Sequence, residues 1–110
     1  CALPISKNRL FEVFADKKPI GIYYGATKPF VDKIIKIEHN TQIYMYSDGF
    51  QDMYNYNINS KYSSKRFKNF LLKESEKSMK EQQKSIEQEY NSWLDDCKQI
   101  DDILVIGLKV

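Results

Sequence analysis

This chain is poor in the residues that usually reveal chemistry. It has two cysteines, one histidine, three prolines and four glycines in 110 residues. Cys1 and Cys97 have no close partner spacing, so neither a zinc site nor a disulfide framework is expected, and Cys97 reads as an inert thiol. The single histidine, His39, sits in a polar stretch without a second metal-type partner and reads as a surface residue. No Cys/His or Ser/His constellation for nucleophilic catalysis stands out. No apolar run approaches the about 20 residues that cross a bilayer, and no charged, apolar, small-residue signal pattern is present. A cytoplasmic chain with no direct membrane insertion is therefore expected. A formal charge of +2 is too weak to imply a polyanionic partner, so no nucleic acid is expected. Tyr54, Tyr56 and Tyr62 near Lys61, Lys65 and Arg66 imitate a single-strand binding platform, but that weak charge argues against it.

What is present fits one small domain. The first residues lack an initiating Met, and Cys1-Ala2-Leu3-Pro4-Ile5 reads like the translation of a sequencing-adapter end. Residues 1–6 are accordingly expected to be non-native, with residues 7–110 the C-terminal part of a longer domain. Leu10-Phe11-Glu12-Val13-Phe14 alternates as a strand ended by Ala15-Asp16-Lys17-Lys18-Pro19, and a loop with Gly21 and Gly25 follows. Residues 31–37 are rich in β-branched residues, Glu38-His39-Asn40-Thr41 is a polar turn, and Gln42-Ile43-Tyr44-Met45-Tyr46 is a second run, which predicts an antiparallel hairpin ending at Asp48. Residues 52–64 have no clear period and read as a loop.

Helical spacing then takes over. Phe67, Phe70 and Leu71 share a face of a helix starting near Ser64. Met79, Ile86, Tyr90, Trp93 and Leu94 form the stripe of a longer one, with a capping box in Ser78-Met79-Lys80-Glu81 and an end near Asp95-Asp96. That stripe reads as core. Residues 103–108 are almost continuously apolar, which predicts a central strand covered on both faces. The fold class is α+β, antiparallel strands with two helices.

Two aspartate signals carry the functional content: Tyr46-Ser47-Asp48-Gly49 after one apolar run and Ile100-Asp101-Asp102-Ile103 before another. A carboxylate at a strand end is a rigid oxygen ligand, and two brought together suit a hard cation of the kind that hydrolyses phosphate esters. Each half has a plainer reading. Asp-Gly after a strand is a common hairpin turn, and Asp101-Asp102 is a common solvated turn. Asp52, Asp95 and Asp96 read as surface carboxylates.

The order strand, Ser-Asp-Gly, loop, two helices, Asp-Asp, apolar terminal strand resembles the C-terminal half of the metal-dependent serine/threonine phosphatases, in the SpoIIE-type bacterial branch. The stretches that carry the likeness are Ala15-Asp16-Lys17-Lys18-Pro19-Ile20-Gly21-Ile22, Ile43-Tyr44-Met45-Tyr46-Ser47-Asp48-Gly49 and Gln99-Ile100-Asp101-Asp102-Ile103-Leu104-Val105-Ile106. The resemblance runs from about Leu10 to Val110. It implies a fragment of an α-β-β-α layered sandwich in which Asp48 and Asp101 are metal ligands, with Gly49 and Asp102 in secondary positions. It also implies two Mn²⁺ or Mg²⁺ ions in the complete domain, a phosphoprotein substrate and upstream sensory domains in the parent chain. The family's bridging aspartate and an early acidic residue have no counterpart here, and residues 53–59 lack the branch's glycine. The fragment is therefore expected to fold poorly and to be inactive alone. The alternative is a non-catalytic signalling or scaffold domain of the same fold.

Overall fold

The computed structural model describes residues 2–18, 20–21, 25 and 28–110. Cys1 and parts of the Gly21–Gly25 loop and of the 15–22 stretch (residues 19 and 22–24) lie outside the described residues. The fold is α+β. A four-stranded antiparallel sheet has the order β2 (Arg9–Leu10), β1 (Ala2–Ser6), β3 (Gln42–Tyr46), β6 (Val105–Lys109). A short helix α1 (Asp48–Gln51), a two-stranded ribbon of β4 (Tyr54–Asn55) and β5 (Ser60–Lys61), and helices α2 (Ser64–Glu74) and α3 (Met79–Leu94) lie between β3 and β6.

Register divides the sheet into two unlike faces. Leu3, Tyr44 and Gly107 are cross-strand partners, and Leu3 and Tyr44 join Ile5, Phe50, Met53, Tyr62, Phe67, Leu71, Trp93 and Leu94 in one buried core. A Cβ on Gly107 would come within 3.1 Å of both Met79 and Tyr44, so the glycine lets α3 approach β6. The neighbouring row, Ala2, Met45 and Ile106, points to the other face, where Met45, Ile106 and Leu108 remain exposed.

Ala2–Ser6 is an inner strand with Leu3 and Ile5 buried, and Lys7 and Asn8, both at positive φ, turn it into β2. Several expectations are corrected. The strand expected over residues 10–14 is reduced to Arg9–Leu10 and a bridge between Val13 and Ala2. The hairpin between residues 31–37 and Gln42–Tyr46 does not form, because β1 and β6 occupy both edges of β3. Residues 28–38 are exposed and irregular, tied to the preceding stretch by Val31 N–H donating to Asp16 Oδ2 (2.9 Å) and Lys33 Nζ donating to the Phe14 carbonyl. The terminal strand is an edge strand rather than a central one, and only one of its faces is covered. The aperiodic 52–64 stretch holds the β4–β5 ribbon. Asn55 anchors it, donating through Nδ2 to the Trp93 carbonyl (2.7 Å) and accepting from Asn57 N–H (2.9 Å).

The helices match the pattern. In the capping box at α3, Ser78 Oγ accepts from Glu81 N–H (3.2 Å) and Ser78 N–H donates to Glu81 Oε2 (3.0 Å), which holds the Glu81 carboxyl below its usual range. Ser78→Ala is expected to lower stability by about 1 kcal/mol, read as a lower urea midpoint at unchanged slope.

A buried polar network locks the α2–α3 turn to β3. Gln82 Nε2 donates to Gln42 Oε1 (2.8 Å) and the Lys77 carbonyl (2.9 Å), and Gln42 Nε2 donates to the Ser75 carbonyl (2.6 Å). The Tyr44 hydroxyl reaches both Gln42 Oε1 and Gln82 Oε1, donating to one at a time. Burial, opposed by the Gln82 hydrogen bond, pushes the Tyr44 hydroxyl from 10.0 up to about 12. A folded value above the unfolded one means that its contribution is complete below the unfolded value and is lost as pH rises through the folded one. Tyr44→Phe is expected to cost about 1 kcal/mol at pH 8, where the hydroxyl bonds are lost. By pH about 11.5 the gap should close, because the wild-type hydroxyl is then driven to ionise on unfolding. Burial and Glu89 also raise Tyr62, so some alkaline sensitivity should survive in the variant. Chemical unfolding at the two pH values reads both effects.

Candidate metal centre

The two aspartate signals meet at one end of the β3–β6 pair. Tyr46 and Val105 are the last cross-strand partners there, so the chain leaving β3 and the chain entering β6 continue side by side. Ser47 joins them: its N–H donates to the Leu104 carbonyl (2.9 Å), its Oγ accepts from Leu104 N–H (3.0 Å), and its hydroxyl donates to the Asp102 carbonyl (3.2 Å). Beyond it the chain turns directly into α1 rather than a hairpin, with Asp48 as the first helical residue and its carbonyl accepting from Asp52 N–H (2.9 Å).

Gly49 is buried at the crossing. A Cβ there would lie 2.1 Å from the Asp102 carbonyl oxygen and 2.9 Å from its carbon, a separation that only glycine permits. An aromatic cluster holds α1 against the core. Phe50 is fully buried, stacked on Phe67 at 4.3 Å between centroids and edge-on to Tyr62 at 5.2 Å, while Tyr46 packs edge-on to Phe67 at 4.8 Å. The Asp48 backbone thus stands on a rigid support while its side chain is exposed.

On the other strand, the Asp101 carbonyl accepts from Gln99 Nε2 (2.7 Å), and Gln99 Oε1 accepts from the Tyr90 hydroxyl of α3. Asp101 Oδ1 accepts from Asp102 N–H (2.8 Å), which fixes the side chain of an otherwise exposed residue. Ser47, Phe50 and Gln99 are the positioning residues that the sequence reading did not single out. The apolar residue directly after Asp-Gly, and the polar residues inside both motifs, were the available signals.

Other candidates lie apart. His39 is exposed in the turn before β3, at the opposite end of that strand from Asp48. Tyr62 is buried, edge-on to Trp93 at 5.2 Å with Arg66 over both rings, so it cannot stack a base. Cys97 is a half-buried free thiol. A concavity of about 970 Å³ between α3 and β6 includes neither Asp48 nor Asp101.

Among the described residues, no group of three or more His, Cys, Asp or Glu is arranged to hold a metal ion. Two carboxylates nevertheless suit one Mg²⁺-like ion, which is commonly bound by one or two carboxylates with water and substrate phosphate in the remaining positions. The donor chemistry of Asp48 and Asp101 fits a single hard cation, and a second ion would need ligands beyond these. No described helix is long and apolar enough to cross a membrane. In comparisons with protein-family models, curated proteins and solved structures, no match to this chain was found.

Proposed function

We propose that this chain is part of a metal-dependent phosphomonoesterase that removes phosphate from phosphoserine or phosphothreonine in a cytoplasmic signalling protein. The observation that carries the reading is the close crossing of Gly49 over the Asp102 carbonyl, which puts Asp48 and Asp101, remote in sequence, at the same end of neighbouring strands. In this reading Asp48 and Asp101 hold Mn²⁺ or Mg²⁺ through carboxylate oxygens. When bound, such an ion lowers the pKa of water and neutralises charge on the phosphoryl oxygens. The chain's own residues do the positioning. Ser47 ties the two strand ends, α1 presents Asp48 from a packed base, and the Asp102 N–H orients Asp101. Gly49 and Asp102 act through their backbones. The remaining ligands, and those of a second ion, would come from an upstream part of the domain, which sensory domains of the parent chain would regulate.

A second reading, a non-catalytic signalling or scaffold domain of this fold, is favoured by one observation: the described residues present no set of three ligands. Calorimetric titration of the chain with Mn²⁺, with a phosphoserine peptide assay alongside, separates the two. Weak Mn²⁺ binding lost in both Asp48→Asn and Asp101→Asn, without turnover, is the expected result. Mn²⁺ binding indifferent to both substitutions overturns the metal reading. Turnover by the chain alone that disappears in Asp48→Asn overturns the requirement for further ligands.

A further inference from the structure

Beside Asp101, the β4–β5 ribbon and the chain before β6 border an open cleft of about 590 Å³, lined by Asp52, Tyr54, Tyr56, Asn59, Lys61, Ile100 and Asp101. Its polar groups are largely paired among themselves. Lys61 Nζ meets Asp52 Oδ1 at 2.8 Å, and the Tyr54 hydroxyl donates to Asn59 Oδ1. What remains open is apolar surface: the Tyr54 and Tyr56 rings packed edge to face at 4.8 Å, and the Ile100 side chain. Tyr56 and Ile100 are 63% and 62% exposed. Lys61 is balanced by Asp52, and the Asp101 carboxylate is engaged by the proposed ion. The exposed apolar surface then favours an apolar side chain over a charged one, which would have to shed its hydration there. The wall is firmly held, because Asn55 pins the ribbon to the end of α3 and the Trp93 indole N–H donates to the Met53 carbonyl (3.2 Å).

Asp101 belongs both to this wall and to the proposed ligand pair. Extended peptide advances about 3.3–3.6 Å per residue, so a phosphoresidue held at Asp48 and Asp101 brings a residue one or two positions away into reach of the cleft. We infer that the Tyr54, Tyr56 and Ile100 surface is a subsite for an apolar residue flanking the phosphoserine or phosphothreonine of the substrate. This inference rests on the phosphatase reading for its occupant. Tyr56 and Ile100 bind the peptide in it and take no part in the chemistry.

Fluorescence anisotropy in Mg²⁺ tests it with four labelled peptides. They carry Leu or Asp two residues from a serine, each with and without phosphate on that serine. The Leu phosphopeptide is expected to bind about fivefold or more tightly than its Asp counterpart, the effect of burying part of one apolar side chain. Tyr56→Ser and Ile100→Ser should each abolish the preference, while Ile34→Ser, an exposed position outside the cleft, should keep it. Equal affinity for Leu and Asp peptides, no binding of the Leu peptides, or a preference that survives both cleft variants overturns the subsite. A Leu preference shared by phosphorylated and plain peptides, and unaffected by Asp48→Asn, supports the subsite and removes the phosphatase reading. Phosphate-dependent binding that requires Asp48 but ignores Leu against Asp removes the subsite and leaves that reading in place.

Discussion

Gly49→Ala is expected to destabilise the fold by about 3 kcal/mol, at the upper end of overpacking penalties. The added methyl would sit 2.1 Å from the Asp102 carbonyl oxygen, and the obstructing atoms are backbone, with no flexible side-chain end that could swing away. Relief requires α1 to lift from the entry to β6. That movement would strain both bonds of Ser47 to Leu104 and its bond to the Asp102 carbonyl, and unseat Phe50 from Phe67. The loss should therefore appear as a lower urea midpoint together with weaker Mn²⁺ binding, because the same contact brings the two strand ends together. An alanine variant of unchanged midpoint would mean that α1 and the entry to β6 do not cross closely, which overturns a shared site at Asp48 and Asp101.

The second large effect separates two adjacent acids in the complete domain. Asp101→Asn is expected to lower turnover by on the order of 10²-fold, the scale seen when one preorganised electrostatic group is removed. The substitution is well behaved structurally, since an amide oxygen still accepts from Asp102 N–H while the negative charge and one acceptor oxygen are lost. Asp102→Asn should be far milder. The contributions of Asp102 to the fold are its carbonyl, which accepts from Ser47, and its N–H, which donates to Asp101, and both survive in asparagine. Steady-state kinetics at saturating Mn²⁺ compare the pair. A greater loss from Asp102→Asn would place the ligand one residue later than assigned here.

The open sheet face bears on how these measurements behave. Met45 and Ile106 are exposed beside Phe14 and Val31, Leu108 is exposed farther along β6, and among the described residues β6 ends the sheet with an unpaired edge, an arrangement that promotes association. Peptide and metal titrations belong at low protein concentration for that reason.

The amino-acid sequence by itself determined the local features. The start of α2, the bounds of α3, the Ser78–Glu81 box and the stop at Asp95 follow from 3.6-residue periodicity and from caps whose partners lie within four residues. Both aspartate motifs, and the α+β class, were legible in the same way. Only the tertiary structure decided strand partnership. Two strand-like runs close in sequence looked like a hairpin, yet the edges of Gln42–Tyr46 are taken by residues 2–5 and 105–109, from opposite ends of the chain. It also decided that an apolar terminal strand lies at an edge, that Ala2–Ser6 is core, and that Gly49 touches Asp102. A helix closes its hydrogen bonds within one segment, so its signals are local. A strand must find its bonds in another segment, and its composition does not say which segment, in what register, or which face will be covered.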